Sequence, residues 1–585
     1  MKTRAPEENT FNTHDGQALH YRCWPALTAT TKGAIVLLHR GHEHSGRLAH
    51  LVHELNLPDF AFFAWDARGH GLSPGPRGFS PGVATSLRDV QSFVDHIATT
   101  YDITSENLVV MGQSIGAVLA AGWAHDYAPD IRGMILVSPA FRVKLYVPFA
   151  RPLLRMARAA KGDFFVNSYV KARLLTHDPE RIASFETDPL IARPISVNML
   201  LGLDELSQRL IQDAAAITVP TQLLISGNDW VVSEAPQHRF YEQLGAAIKE
   251  RHVFSGFYHD TLGERDRERA IQKARNFIVA RFRETPQRPS LLEADKCGFT
   301  RAEADCLASP LPAFSLGGLY WSATRAALRA GGWISKGLAT GRQTGFDSGS
   351  TLDYVYENEA RGRTPLGRTI DRLYLDSIGW KGIRQRKRHI EELLGLAMAR
   401  TRAAGSSLRI LDIAAGHGRY VLDAIRESGI EPETICLRDY DDRNVAAGTR
   451  LIEQRGLSHI ASFAKGDAFD PDSLAAARPQ PTIGIVSGLY ELFADNAAVR
   501  ASLGGLAQAV PEGGYLIYTC QPWHPQIELI ARALTSHRDG QPWVMRRRTQ
   551  AEMDQLVADA GFRKIDQRVD EWGIFTVSLA KREAA

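Results

Sequence analysis

The chain has 585 residues, 44% apolar and 23% charged, a composition that excludes a disordered, collagen-like or disulfide-scaffold protein. Lys and Arg number 69 against 66 Asp and Glu, a net charge of +3, so nothing global calls for a nucleic-acid partner. At about 150 residues per domain, the length allows three or four domains or two large ones. The five cysteines are odd in number, scattered and without a CxxC, and read as reduced thiols of a cytosolic protein. The first ten residues, MKTRAPEENT, carry no apolar h-region, so no secretory signal is expected. The most membrane-like stretch, Leu108–Ala124, is interrupted by Gln113, Ser114 and three glycines and falls short of the ~20 apolar residues of a membrane helix.

From Gly33 to about Phe282, short apolar runs (AIVLLH, FAFFAW, LVVMG, GMILVS, TQLLISG, KERHVF) alternate with helix-length amphipathic segments. That rhythm predicts a mostly parallel sheet covered by helices. It returns from about Arg409 with RILDIAA, TICLRDY, IGIVSG, GYLIYT and GIFTVSLA. Between them, RETPQRPS, SPLPAFS and GRQTGFDSGS are loop-forming in composition. The expected organisation is therefore an α/β domain over 1–283, a partly helical connector over 284–360 and a second α/β domain over 361–585.

Within the first domain, Gly112-Gln113-Ser114-Ile115-Gly116 follows a strand and precedes the small-residue segment AVLAAGWA. A serine on such a strand-to-helix turn exposes its hydroxyl near a helix N-terminus, and flanking glycines let the backbone crowd together. Ser114 is the expected nucleophile. Its acid and base should follow in the order acid, then His. Asp229, after the strand TQLLISG, and His259, in HVFSGFYHDTLGE before the last helix of this half, hold those places. Asp260 is the alternative acid, read in preference as a helix N-cap. His42, His44 and His70 lack a carboxylate cluster and are read as loop packing, so no metal is expected. About 75 residues separate GMILVSPA from TQLLISG, too many for a plain crossover; residues 141–217 are expected to form a helical cap, whose mixture of apolar residues with Arg and Lys suits an acyl chain at an anionic membrane surface.

Residues 33–280 resemble the monoacylglycerol lipase and lysophospholipase branch of the α/β-hydrolases, grouped with serine aminopeptidase-like enzymes, through LLHRGHEHSGR, AWDARGHGLSPGPRG, GQSIG, SGNDWVV and FYHDTLGE. The resemblance implies ester hydrolysis through an acyl-enzyme with Ser114, Asp229 and His259 as the triad. It implies an oxyanion hole from the backbone N–H groups of Ile115 and Gly41. Where such enzymes read His-Gly, this chain has His39-Arg40; the Arg40 cation either meets an anionic head group or reaches solvent.

In the second domain, Leu411-Asp412-Ile413-Ala414-Ala415-Gly416-His417-Gly418-Arg419 takes a strand through an acidic residue into a small-residue turn. Ala414, Gly416 and Gly418 allow a ligand to lie against the backbone at the sheet's carboxyl edge. Asp439 ends the next strand, where a carboxylate can take both ribose hydroxyls, and Asp467 follows a shorter one, where an adenine amino group would be met. The spacing lacks the G-x-G-x-x-G of dinucleotide folds. Acidic residues suit S-adenosylmethionine, which carries a sulfonium and an ammonium and no phosphate. The run resembles the first motif of class I S-adenosylmethionine-dependent methyltransferases, with Asp439 and Asp467 matching later motifs. DYVYENEARGRTPLGRTIDRLYL, SGLYELF and CQPWHPQ are similar to a bacterial methyltransferase family found fused to this type of hydrolase.

SGLYELF stands where adenine-N6 methyltransferases carry a D/N-P-P-Y/F element, and that element is missing, so nucleic-acid methylation is disfavoured. Glu491 or His524 is a candidate base, and Tyr490 and Trp523 candidate walls of the acceptor site. Residues 361–389 hold nine Arg or Lys against two Asp, a run suited to phosphate-bearing head groups or RNA or, equally, to a solvated helix face. The expectation is a bifunctional cytosolic enzyme acting on small-molecule or lipid substrates, with peripheral contact at the inner membrane face. A peptidase or amidase, or a catalytically silent methyltransferase-like half, is the alternative.

Overall fold

A computed structural model describes residues 4–538 and 540–584. The chain divides into two compact units, one ending at Pro289 and one beginning at Ser290. The strands are β1 (Glu7–Asn12), β2 (Ala18–Trp24), β3 (Gly33–Leu38), β4 (Phe60–Trp65), β5 (Leu108–Gln113), β6 (Gly133–Val137), β7 (Phe165–Asn167), β8 (Pro194–Ser196), β9 (Thr221–Ser226), β10 (Lys249–Phe254), β11 (Arg409–Asp412), β12 (Thr434–Asp439), β13 (Ala461–Lys465), β14 (Ile483–Val486), β15 (Tyr515–Cys520), β16 (Phe562–Val569) and β17 (Thr576–Arg582).

The first unit holds an eight-stranded sheet ordered β1-β2-β4-β3-β5-β6-β9-β10. β1–β2 and β2–β4 pair antiparallel and the remaining pairs are parallel. Every residue of β3, β4, β5, β6 and β9 is buried, which is why these strands read as unbroken apolar runs rather than alternations. This is the α/β-hydrolase fold. Residues 141–217 leave the sheet between β6 and β9. They form helices Ala150–Lys161, Pro179–Thr187 and Val197–Gln212 and the small antiparallel pair β7–β8. Two charged links tie the cap helix Val197–Gln212 and its end to the helix after the nucleophile: Arg209 with Asp126, 2.6 Å, and His125 with Asp213, 2.8 Å.

The second unit has a seven-stranded sheet ordered β13-β12-β11-β14-β15-β17-β16, parallel except for β17, which runs antiparallel to both β15 and β16. The strand order reverses between β11 and β14, the switch point at whose carboxyl ends open α/β sheets bind ligands. The expected connector over 284–360 is corrected here. From Ser290 onward it belongs to the second unit and carries helices Phe299–Ala308, Leu316–Gly331, Lys336–Thr344 and Gly349–Glu357. Two of the serines in the stretches that read as loop, Ser315 and Ser348, are caps. Ser315, Ser335 and Ser348 accept from the N–H groups of Gly318, Leu338 and Thr351 and start three of those helices.

All five cysteines are free. Among the described residues no helix is long and apolar enough to cross a membrane. Leu108–Ala124 is β5, the turn at Ser114 and part of helix Ile115–Tyr127.

Candidate active sites

β5 drops into helix Ile115–Tyr127 through Ser114, whose backbone is held at φ 55° and ψ −113°, a conformation a non-glycine residue keeps only when its surroundings impose it. The flanking glycines show how. A Cβ on Gly112 would lie 2.3 Å from the Gly116 carbonyl oxygen, and one on Gly116 2.4 Å from that of Leu38. No side chain fits at either place, so the elbow closes tightly and lifts the hydroxyl to the sheet's carboxyl edge.

There Ser114 Oγ lies 2.8 Å from His259 Nε2, and His259 Nδ1 lies 2.7 Å from Asp229 Oδ2. The other carboxylate oxygen of Asp229 accepts from the N–H groups of Val231 and Val232, 2.7 and 2.9 Å. Burial would raise the Asp229 carboxyl, but the His259 ring and those two N–H groups outweigh it and hold it below the usual carboxylate range. All three side chains are buried. The geometry is that of a nucleophile, a base and an orienting acid.

Asp260 is no competitor for His259. It stands at the N-cap position of the short turn Thr261–Gly263 without capping it through its side chain. Its carboxylate instead accepts from Gln113, 2.9 Å, and from Arg181 Nε, 3.0 Å. Arg40 neither reaches solvent nor stands alone. It is 4% exposed, donates to Glu43 Oε1 at 2.6 Å and lies over the Phe185 ring at 5.3 Å. Arg47 and Arg181 complete this buried network, which joins the loop after β3 to the cap helix Pro179–Thr187. His44 meets Asp188 at 2.9 Å and His70 Nδ1 meets the Arg68 carbonyl at 2.9 Å, both loop-packing roles.

Ser114, His259, Ile115 and Gly41 open on one pocket. Its walls come largely from the cap and are mostly apolar, with Leu145, Leu154, Val166, Leu175, Phe185 and Leu203 among them and Arg151, Asn167 and Asp204 as polar members.

In the second unit a cleft of about 810 Å³ lies at the carboxyl ends of β11, β12 and β14, lined by Ala414, Gly416, Gly418, Asp439 and Asp467 among others. Gly416 and Gly418 have φ of 58° and 73°, the left-handed region where glycine carries no penalty. Asp439 Oδ2 accepts from Gly416 N at 2.9 Å, and Oδ1 from Asp441 N and Asn444 Nδ2. Oδ2, with a single donor, retains acceptor capacity. Asp467 Oδ1 accepts from Phe469 N. Asp412 does not face the cleft. It is wholly buried, accepts from the Tyr420 hydroxyl at 2.6 Å and from Ala414 N at 3.2 Å, and shapes the turn from below.

The candidate acceptor residues are corrected too, for none lines this cleft. Glu491 accepts from Thr519 in the interior, and the Tyr490 hydroxyl donates to Ser502. The His524 Nδ1 accepts from Gln526 N, and burial lowers its ring to about 4. Trp523 packs on the cluster around Trp380 and Phe575.

A family model described as "Putative methyltransferase" matches residues 274–582, and one described as "Serine aminopeptidase, S33" matches residues 29–266. The uncharacterized protein YnbC of Escherichia coli K12 is 55% identical over 99% of both chains. The chain belongs to this fused family. Its first unit is a lipase-like hydrolase: the monoacylglycerol lipase of Mycolicibacterium smegmatis is 24% identical over 48% of this chain and 99% of its own, and human monoglyceride lipase 27% identical over 42% and 80%. The solved monoacylglycerol lipase of Paleococcus ferrophilus covers 47% of this chain and 99% of its own at 23% identity, with a TM-score of 0.41.

The methyltransferase-family match begins upstream of the first-motif strand by more than a hundred residues, and the structure accounts for part of that extension. Helix Gly349–Glu357 forms a wall of the cleft: Ser348, Gly349, Asp353 and Tyr356 line it. Asp353 pairs with Arg419, 2.5 Å, and His417, 3.3 Å, from the first-motif turn. Sequence reasoning missed these residues; the acidic and aromatic helix face within DYVYENEA was the available signal. Three members of the basic run 361–389 are ion-paired: Arg361 with Glu357 and Glu359, Arg372 with Asp376, and Lys387 with Glu391 and Asp423.

Proposed function

We propose that the first unit cleaves a carboxylic ester of a lipid-like molecule, a monoacylglycerol or lysophospholipid, through an acyl-enzyme. The observation that carries this is the Ser114–His259–Asp229 relay opening on an apolar, cap-lined pocket. His259 Nε2 accepts the Ser114 proton as Oγ attacks the carbonyl carbon, and Asp229 stabilises the imidazolium that results. The N–H groups of Ile115 and Gly41, at the pocket floor, receive the oxyanion. His259 then returns its proton to the departing alcohol, and water, activated by the same ring, releases the acid.

The second unit transfers a methyl group from S-adenosylmethionine. The residues fit that molecule: a glycine turn that admits it, Asp439 for the ribose and Asp467 for the adenine edge. When bound it supplies an electrophilic methyl. The chain's part is to position it and exclude water, with Asp353, Arg419 and His417 holding the near wall against the turn.

Fluorophosphonate labelling and hydrolysis of 1-monoacylglycerols against aminoacyl amides test the first assignment. Labelling of Ser114 with a preference for medium or long acyl esters is expected; a preference for amides contradicts it. Calorimetric titration with S-adenosylhomocysteine tests the second.

A further inference from the structure

Arg386, on helix Ile378–Ala403, is 3% exposed and lines the methyltransferase-family cleft. Its Nε has no hydrogen-bond partner, and no hydrogen bond or ion pair links its guanidinium to another described residue. Its neighbours are the Phe575 ring, 5.1 Å from the guanidinium carbon, and Gly488, where a Cβ would stand 2.9 Å from Nη2. The other described cations of this cleft are engaged: Arg419 with Asp353, Arg443 with Asp441, Lys465 with Asp442, and Arg538 with the Leu492 carbonyl. A buried guanidinium left without an anion is costly, and proteins keep one where a ligand supplies the missing charge.

We infer that Arg386 is the anchor for a ligand carboxylate at the β14 end of this cleft. Its planar fork matches a carboxylate bidentately. Ser487, which precedes the Gly488 that the guanidinium approaches, has an Oγ that is also buried and unpartnered, and the residue lines the cleft. The aspartates elsewhere in the cleft, Asp439 and Asp467 among them, favour a monoanion over a phosphate dianion. Gly488, at φ 68°, permits the close approach of the guanidinium to the strand end. Two molecules carry the required group: the methyl donor through its methionyl carboxylate, and an acid bound beside the donor, such as the acid the hydrolase unit would release. The inference rests on the reading of this cleft as a methyl-donor site.

The test is calorimetric titration of the full chain and its Arg386→Met and Arg386→Lys variants with three probes: S-adenosylmethionine, its decarboxylated analogue, and decanoate. The inference expects Arg386→Met to weaken one carboxylate-bearing probe by at least about 10-fold and Arg386→Lys to restore part of the loss. Loss confined to S-adenosylmethionine, with the decarboxylated analogue unaffected, identifies the donor's carboxylate; loss confined to decanoate identifies the acid. The melting temperature of the ligand-free Arg386→Met chain should equal or exceed that of the wild type, because an uncompensated buried charge has been removed. Equal affinity of Arg386→Met and wild type for every probe overturns the inference. So does a fall in ligand-free melting temperature together with an equal loss for the decarboxylated analogue, the mark of a structural arginine. A wild type that binds decanoate but neither nucleoside contradicts the methyl-donor reading instead, and the decanoate comparison still decides Arg386. A wild type that binds none of the three contradicts both.

Discussion

Ser114 keeps a positive φ because Gly112 and Gly116 leave no room for any other path of the chain. Serine, base and acid act as one unit, so removing the serine or the base alone should be nearly as damaging as removing all three, with a smaller loss for the acid. Ser114→Ala is expected to lower ester hydrolysis on the order of 10⁴-fold or more and to abolish fluorophosphonate labelling. Asp229→Asn, which keeps the shape but not the charge, should cost about 10⁴-fold in kcat; steady-state kinetics on a soluble ester measures both. In the second unit Asp412 is the telling residue. Burial pushes its carboxyl from 3.8 up to about 7, against the opposing hydrogen bond from Tyr420. Between those values the folded chain holds a proton that the unfolded chain has released, so this residue's contribution to stability falls as pH rises from about 4 to about 7 and is flat above. Thermal denaturation of wild type and Asp412→Asn across that range should show the wild type losing ground steadily up to pH 7. A difference that does not vary with pH contradicts the assignment.

At the scale of elements, what was legible in the sequence was what is local. The nucleophile elbow lies within five consecutive residues, and Asp229 and His259 each follow a recognisable strand. Both sheets were legible because parallel strands buried on both faces leave unbroken apolar runs. The front wall of the second cleft was not, because Asp353 and Tyr356 reach it on a helix whose cap Ser348 reads as loop, and Arg386 on a helix whose first turns read as a basic run. Glu491 and His524 do not line this cleft, for the related reason that closeness in sequence to β14 and β15 does not settle which way a side chain faces. A fragment beginning at Ser290 should therefore fold and bind S-adenosylhomocysteine, whereas one beginning at Arg361 should not; circular dichroism and calorimetry of the two check this. On the cap, Phe149, Leu153 and Met156 are exposed beside Arg155 and Arg158, the pattern of an interfacial helix. Replacing the three with serine should reduce sedimentation with anionic vesicles and hydrolysis of vesicle-borne substrate, with hydrolysis of a soluble short-chain ester unchanged. Equal vesicle binding contradicts that role.

For the whole molecule, one chain carries a lipase-like hydrolase and a methyltransferase-family unit, each with its own sheet, core and cleft. The near-full-length match to YnbC shows the same pairing at 55% identity. Fusion gives two activities equal concentrations, and it brings benefit beyond that when one site's product is the other's substrate. The most direct measurement is mass spectrometry of a bacterial lipid extract incubated with the full chain and deuteromethyl S-adenosylmethionine, beside the Ser114→Ala variant. The account predicts fatty acid released by the wild type and not by the variant, together with deuterium on a product of the wild-type reaction. Fatty acid released equally by the variant, or a wild-type reaction without deuterium in any product, would contradict it.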